Sequence, residues 1–163
     1  MTDPAPTPAS NALLRGAYNA LAARIFAGVL ASNEFDDLRP AHGNAMEQLE
    51  LEDGLRLTEM ANRAGIAVQS MGELVDDLEA KGYLERRPDP DDRRAKRIHL
   101  TKRGQRNARV AKRAIVDVEN HLAELLGQRH YQLLRRALQD IIAAEDDQRG
   151  ASRDESAIGR PCG

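Results

Sequence analysis

Basic side chains that could contact a polyanion are concentrated in one part of this sequence, from Lys81 to Arg113. This part holds thirteen Lys and Arg residues against four acidic residues, a local charge of +9, although the net charge of the whole chain is -2. A surface of this sign suits nucleic acid, while the acidic remainder limits nonspecific adhesion. A solvated charged surface without a partner would give the same pattern, so charge alone leaves both interpretations open.

The histidines and the single cysteine form no catalytic or metal-binding pattern. No two histidines have the spacing of a metal-binding pair, and the sequence lacks a CxxC pair, a nucleophile elbow and a glycine-rich phosphate loop. We therefore expect no enzyme, no metal and no other cofactor. The lone Cys162 forms no intrachain disulfide, which fits a reducing compartment. The scattered histidines are His42, His99, His121 and His130.

The composition excludes two further classes. Aromatic residues make up 3% of the chain, too few for the stacking platform that binds single-stranded nucleic acid. No apolar run approaches the roughly 18 residues that cross a bilayer, and the first residues lack the features of a secretory signal. We therefore expect a cytoplasmic protein without membrane contact. A length of 163 residues predicts one compact domain.

Apolar periodicity and the positions of proline and glycine predict a mainly α fold with a small β-wing. The residues before about 10 and after about 146 lack this periodicity, so we expect a disordered leader over 1–9, a single domain over 10–146 and a flexible tail over 147–163. The predicted helices span about 10–32, 40–54, 58–65, 68–81, 102–126 and 129–146, with a hairpin of strands 83–87 and 96–100 between the fourth and fifth helices.

Helix ends and core faces follow from individual residues. Thr58 is expected to cap the third helix, Thr101 is expected to cap the fifth, and Gly65 and Gly82 are expected to end helices. Apolar stripes mark one face of the first helix (Leu14, Tyr18, Leu21, Ile25, Val29), the fourth (Met71, Leu74, Val75, Leu78), the fifth (Ala111, Ile115, Val118, Leu122, Leu125) and the sixth (Tyr131, Leu134, Leu138, Ile141).

The fifth helix is too long for a monomer of this size to cover. Roughly 25 residues at 1.5 Å each make it nearly 40 Å long, so part of its apolar stripe would be bare. This length predicts a homodimer. The alternative is that the first and sixth helices cover the stripe within one chain.

A short helix, a turn at Gly65, a second helix and a basic hairpin form the pattern of a winged helix-turn-helix. An α-helix fits the major groove of DNA, and an adjacent hairpin reaches the backbone or the minor groove. A narrow minor groove attracts arginine, so a basic hairpin tip suits this role.

The stretch from Leu57 to Gly104 resembles the DNA-binding core of the MarR family of bacterial transcription regulators. The most specific part is Asp92-Arg93-Arg94, followed by Ile98, Leu100-Thr101 and Gly104. The resemblance implies a homodimer that binds a pseudo-palindromic operator on double-stranded DNA and responds to a small effector, for which we expect an aromatic or phenolic molecule. It places the winged helix-turn-helix at about 35–101 and the dimerisation helices at about 10–32 and 102–146.

The resemblance assigns roles to single residues. Gln69 and Ser70 match positions that touch bases and phosphates in the major groove. Arg94 matches the wing-tip arginine of the minor groove, with Arg93 and Lys96 holding phosphates. Asp92 matches the wing acid, which we expect to orient an arginine through a salt bridge.

Two further residues are weaker candidates. Glu73 stands where the family often has arginine, and it either accepts a hydrogen bond from cytosine or is a surface acid. His42 lies near the expected effector pocket, where it either contacts a ligand or has a structural role. The second functional hypothesis is a winged-helix module that binds protein, which Glu73, Asp76 and Asp77 favour. Salt separates the two, since DNA affinity falls steeply with salt.

Overall fold

The computed structural model describes residues 8–92 and 94–158, which form helices and one small antiparallel sheet. This confirms the expected mainly α fold with a β-wing. Residues 1–7 of the leader, the wing residue Arg93, and residues 159–163 with Cys162 lie outside the described residues. In chain order the elements are α1 (Ser10–Leu30), α2 (Pro40–Leu51), α3 (Leu57–Ala64), α4 (Val68–Ala80), β1 (Leu84–Pro88), β2 (Lys96–Leu100), α5 (Lys102–Leu126) and α6 (Gln128–Ile158).

The helix ends predicted at Gly65, Gly82 and Thr101 are confirmed, whereas the cap at Thr58 is corrected, α2 ends at Leu51 instead of about 54, and α6 continues beyond 146. Gly65 and Gly82 follow α3 and α4 with φ of 65° and 75°, the left-handed conformation that glycine adopts without strain. Thr101 Oγ1 accepts the Gly104 N–H at 3.1 Å and caps α5. Thr58, in contrast, lies inside α3. The helix begins one residue earlier because the Glu59 carboxylate accepts the Arg56 N–H at 2.8 Å.

The hairpin has the predicted strands. β1 pairs antiparallel with β2 from Leu84 opposite Leu100 to Pro88 opposite Lys96. On its other edge β2 is joined to the segment before α3, where the Ile98 N–H donates to the Leu55 carbonyl at 2.8 Å. The wing is therefore fixed to the helix-turn-helix by a main-chain hydrogen bond as well as by side chains.

The core of the winged-helix region is formed where α2, α3, α4 and the sheet meet. The α4 residues Met71, Val75 and Leu78 are fully buried, and Leu74 packs against them, which confirms the predicted α4 stripe. Each large apolar side chain buried in this way contributes about 1.5–3 kcal/mol. The same core contains Phe35, Met46, Leu49, Leu55, Met60, Tyr83, Leu84 and Ile98.

The chain divides into two compact units at the boundary between Val118 and Glu119, inside α5. The sequence predicts one domain over 10–146. Periodicity shows which side chains share a face, but it does not show which element covers that face. The two units are described separately below.

In the first unit, the apolar stripes of α1 and α5 differ from the prediction. Val29 is buried, but Leu14 and Tyr18 are 43% and 56% exposed. On α5 the buried residues up to Val118 are Gly104, Asn107, Ala114 and Val118, while Ile115 is exposed. The physical reason is a close helix contact. A Cβ on Gly28 would lie 2.9 Å from the Cβ of Ala114, so small residues are required where α1 and α5 meet.

In the second unit, α6 is longer than the sequence predicts. It continues to Ile158, through much of the segment expected to be a flexible tail, because no proline occurs before Pro161 and Gly150 alone does not end the helix. Tyr131 is buried, and both its hydroxyl and Arg135 bind the Glu119 carboxylate. Leu122 is half-buried. Exposed apolar side chains of this unit are Leu125, Leu126, Leu133, Leu134, Leu138, Ile141 and Ile142.

Candidate nucleic-acid interface

Helix α4 turns three of the predicted DNA-contacting side chains to the surface. Since Met71, Val75 and Leu78 occupy its buried face, Gln69, Ser70 and Glu73 are exposed on the opposite side. The Gln69 amide donates a weak hydrogen bond to the Glu73 carboxylate at 3.4 Å. All three polar groups are therefore accessible to a ligand near the start of the helix.

The start of α4 has no side-chain cap. Ala67 occupies the capping position and carries no oxygen, so the first backbone N–H groups of the helix have no side-chain partner. Such N–H groups bind anionic oxygens, including those of phosphate. Because Ala67 has no capping oxygen, these backbone N–H donors remain available at this surface.

The base of the wing is organised by Asp89, which the sequence analysis missed. Its carboxylate is buried and accepts the Asp91 N–H at 3.0 Å. Arg56, just before α3, lies 2.8 Å from it, and Arg97 of β2 lies 3.2 Å from it. The hydrogen bond from Asp91, together with those from the two arginines, lowers the pKa of Asp89 to about 2. Asp89 therefore ties the hairpin to the helix-turn-helix as a permanent anion.

Asp92 has a different role from the predicted one. Among the described residues its carboxylate contacts no arginine side chain, and instead Oδ1 accepts the Arg94 N–H at 3.0 Å. The Asp92 carbonyl accepts the Ala95 N–H at 2.9 Å, and the Ala95 carbonyl accepts the Asp89 N–H at 3.1 Å. Asp92 therefore orients Arg94 by fixing the backbone of the turn, which a short carboxylate does well. Among the described wing residues, Asp89 is the buried acid that binds arginine.

The cations of the hairpin divide into two groups. Arg86 binds Asp76 at 2.6 Å and also Glu79, both on α4, and Arg87 binds Glu85. In the described part of the chain, by contrast, no carboxylate lies within 4 Å of Arg94 or Lys96, and both are exposed. The paired cations hold the wing in place, and the exposed ones remain available to an external anion.

His42 links α2 to the recognition helix α4. Its Nδ1 accepts the Arg39 N–H at 3.0 Å, so the proton is on Nε2, which donates to Asp77 at 2.9 Å. Burial lowers the pKa of His42, in spite of the neighbouring Asp77. The Lys81 ammonium, followed by Arg39 and His42, lowers the pKa of Asp77 to about 2. His42 is fully buried with both nitrogens engaged, so in this arrangement it offers no free atom to a ligand.

A second, half-buried cluster joins the segment before α2 to the start of α5. The Tyr83 hydroxyl donates to Asp37 at 2.6 Å, and Arg103 binds Asp37 while its guanidinium lies 4.3 Å from the centre of the Tyr83 ring. Burial opposes ionisation of Asp37, but the hydrogen bonds from Tyr83 and Arg103 outweigh it and lower the pKa. Burial, followed by the bond to Asp37, raises the pKa of Tyr83.

In residues 8–92 and 94–158, no three His, Cys, Asp or Glu side chains are grouped so as to hold a metal ion. No helix within the same residues is long and apolar enough to span a bilayer.

Comparison with known proteins identifies the arrangement. Residues 36–95 match the model of the MarR family. The transcriptional repressor CouR, solved bound to a 23-mer DNA duplex, has the same fold with a TM-score of 0.69 and 27% identity, over 82% of this chain and 92% of CouR. Over this region the chain is similar to the MarR family, and its structural neighbours are winged-helix transcription regulators. No curated protein matches it.

Two more distant MarR-family structures share the fold. MarR itself from E. coli, in its apo form, is 16% identical with a TM-score of 0.68, over 84% of this chain and 98% of that one. FabT from Streptococcus pneumoniae, solved in complex with DNA, is 19% identical with a TM-score of 0.69, over 85% and 96%. The chain shares the helix order and the wing of these structures, and the expected resemblance is confirmed.

Proposed function

We propose that this chain is a transcription regulator that binds double-stranded DNA sequence-specifically, as a homodimer on a pseudo-palindromic operator. The observation that carries the proposal is the exposed polar start of α4 beside a wing whose free cations, Arg94 and Lys96, are positioned by Asp89 and Asp92. The similar proteins CouR and FabT were solved with DNA, which supports the same ligand here.

Each surface residue has a role in this proposal. Gln69 pairs with adenine, Ser70 contacts a base or a phosphate, and Glu73 accepts from a cytosine amino group or limits which bases are tolerated. Arg94 enters the minor groove, and Lys96 and Arg93 hold phosphates. Phosphate contacts supply affinity, whereas base contacts supply specificity. Replacing a phosphate-contacting residue should therefore lower affinity, and replacing a base-contacting residue should lower specificity.

The dimer part of the proposal rests on the uncovered apolar side chains. Within the first unit, Leu14 and Tyr18 of α1 are exposed, and within the second unit so are Leu134, Leu138 and Ile141 of α6. Exposed apolar groups at regular helical spacing are typical of surfaces that a second copy covers. We further propose that the protein is cytoplasmic and not an enzyme, and that a small aromatic or phenolic effector modulates it.

Selection of bound sequences from random duplex DNA tests specificity and symmetry together. We expect enrichment of an inverted repeat, with half-sites about one helical turn apart. With Arg93, Arg94 and Lys96 of both protomers near phosphates, log affinity should fall against log salt with a slope of about -5. A pool without enrichment, or affinity that hardly changes with salt, would contradict the proposal.

Arg94→Ala tests the wing assignment. We expect operator affinity to fall more than tenfold while the melting temperature stays the same, because Arg94 makes no described ion pair in the free protein. Arg136→Ala, which removes the same charge from α6, is the matched control and should leave affinity within about twofold. Equal affinities for both variants would show that the wing does not enter the groove.

The second candidate function is a winged-helix module that binds protein. It is favoured by the acids of α4, since Glu73 is exposed and Asp76 and Glu79 neutralise Arg86. The salt titration decides between the two, because a protein partner would give a shallow dependence.

A further inference from the structure

His42 is a fully buried, titratable side chain that joins two elements of the winged-helix region. It lies in the first turn of α2, and its partner Asp77 lies in the last turn of α4, 35 positions further along the chain. A buried polar group without a hydrogen-bond partner is costly, so both ring nitrogens must keep their partners. The neighbours of His42 therefore decide which protonation state the fold accepts.

The hydrogen bonds of His42 require a neutral ring with the proton on Nε2. Nδ1 accepts the Arg39 N–H at 3.0 Å and so caps the start of α2, while Nε2 donates to the Asp77 carboxylate at 2.9 Å. A second proton would turn Nδ1 into a donor that faces the Arg39 N–H, which is also a donor. The doubly protonated ring therefore cannot keep its contact with the start of α2.

The surrounding charges also disfavour a protonated ring. Among the described residues, the charged groups that face His42 are Asp77 and Lys81 at the end of α4 and the Arg39 guanidinium, which lies 3.3 Å from Nε2. Asp77 favours the protonated ring, but this carboxylate already binds Arg39 at 2.5 Å and Lys81 at 2.8 Å. Burial, assisted by the two cations and opposed by Asp77, lowers the pKa of His42 below its ordinary 6.5.

Helix α4 carries the surface that the proposed function assigns to DNA. Gln69, Ser70 and Glu73 precede Asp77 on this helix by one to two turns. A contact surface is precise only when the element that carries it is held by a supporting layer of hydrogen bonds. The bond from His42 to Asp77 is such a support, because it holds α4 against α2.

We propose that neutral His42 is a positioning residue that holds the DNA-contacting helix α4 against α2, so that operator binding weakens when the ring takes up a proton. The effect on operator binding rests on the proposed function, whereas the positioning of α4 is a property of the free protein. Since the fold favours the neutral ring, its contribution to stability is complete above about pH 6.5 and is lost as pH falls below that value.

Two variants separate the two hydrogen bonds of the ring. In His42→Gln the side-chain amide N–H reaches the place of Nε2 and keeps the bond to Asp77. In His42→Asn the side-chain oxygen takes the place of Nδ1 and keeps only the bond from Arg39. At about pH 7.5 we expect the operator affinity of His42→Gln to stay within about twofold of the wild type and that of His42→Asn to fall about tenfold. A role in packing alone would give both variants the same affinity, which would overturn the proposal.

The pH profile of operator affinity tests the protonation step. From about pH 7.5 to 5, the affinity of the wild type should fall at least about fivefold relative to that of His42→Gln, whose side chain does not titrate. His130→Gln, which removes an exposed histidine of α6, is the matched control and should keep the profile of the wild type. Parallel profiles of the wild type and His42→Gln would overturn the proposal. This comparison does not depend on the folding of His42→Asn.

NMR of the full-length protein without DNA tests the positioning of α4 separately. We expect the Nε2–H tautomer of His42 at neutral pH and a titration midpoint below 6.5, with the amide signals of Gln69 and Ser70 shifting at the same midpoint. In His42→Gln these amide shifts should be absent. An Nδ1–H tautomer, or amide signals of α4 that do not follow His42, would overturn the proposal. Coupled signals in a protein that binds no operator would support the positioning of α4 and contradict the proposed function instead.

Discussion

Replacing Asp89 by asparagine should weaken operator binding far more than it lowers the melting temperature. The carboxylate of Asp89 binds Arg56 and Arg97 and accepts the Asp91 N–H. Asparagine has nearly the same shape, but it has one acceptor oxygen and no charge. The two charge-assisted contacts of the wing base, which are about twice as strong as neutral ones, are therefore lost.

The size of the effect follows from the proposed symmetry. Suppose that only about one fifth of the protomers hold the wing in its binding position. Dimers in which both wings are held then make up about one in twenty-five of all dimers. Apparent affinity falls by the same factor. We therefore expect a loss of about 10- to 100-fold. Asp89 is buried at the base of the wing and its ion pairs are lost in the variant, so the melting temperature should also fall, by several degrees, while the hydrophobic core keeps the protein folded.

Fluorescence anisotropy with a labelled operator measures the ratio of the operator affinities of the wild type and the variant. Asp91→Asn is the matched control. Asp91 is exposed, and its carboxylate contacts Arg97 only at 3.6 Å. The fold holds the pKa of Asp89 near 2, below its ordinary 3.8, so its contribution is complete above about pH 4 and is lost only as pH falls through 2. The ratio should thus be constant from pH 6 to 8. An equal loss of operator affinity for both variants, or no loss for Asp89→Asn, would refute the proposal that Asp89 holds the wing in its binding position.

Three further predictions concern packing and assembly. Gly104→Ala should lower the free energy of unfolding in urea by about 1–3 kcal/mol, because the new Cβ would meet the Tyr83 carbonyl oxygen at 2.3 Å; unchanged stability would contradict that close approach. Tyr83→Phe should cost about 1–2 kcal/mol in the same assay, since it removes the hydroxyl that donates to Asp37, and a cost near zero would count against this bond. Leu138→Glu should convert dimer to monomer in analytical ultracentrifugation, while Gln139→Glu, its neighbour on α6, should not; a dimeric Leu138→Glu protein would show that α6 is outside the interface.

Much of the fold could be predicted because its boundaries depend on local chemistry. Pro40 begins α2, Gly65 and Gly82 end helices, and Thr101 caps α5, all within a few residues of where each acts. The sequence pattern that predicts the two hairpin strands is equally local. The exception is Thr58, where the reach of Glu59 to the preceding backbone moved the helix start by one residue.

The site was predicted less completely because its supports come from distant parts of the chain. Asp89 is 33 positions from Arg56, and His42 is 35 from Asp77, so no local pattern reveals either pair. The exposed face of α4, with Gln69 and Ser70, was predictable since it is simply the face opposite the core. The choice between Asp89 and Asp92 as the arginine-binding acid needed the folded turn.

The stripe of α5 shows a further limit of sequence patterns. The sequence favours a stripe that includes Ile115 and Leu125. The structure buries Val118 of this stripe, but it buries Ala114 in place of Ile115, and Leu125 is exposed. Close approach of α1 at Gly28 decides this, and a small residue gives no hydrophobic signal of its own. Large residues on the neighbouring face remain for another surface to cover.

The second edge of β2 limits how this molecule can switch. Ile98 donates its N–H to the Leu55 carbonyl, and Arg97 donates to the Gly54 carbonyl at 3.2 Å, so the hairpin continues into the turn that leads to α3. A hinge between the hairpin and the helices would have to break this main-chain hydrogen bond of Ile98 and the hydrogen bond from the Arg97 side chain, and a buried donor or acceptor left without a partner is costly. If the chain binds DNA as proposed, we expect the wing and α4 to leave the duplex together, as one rigid body.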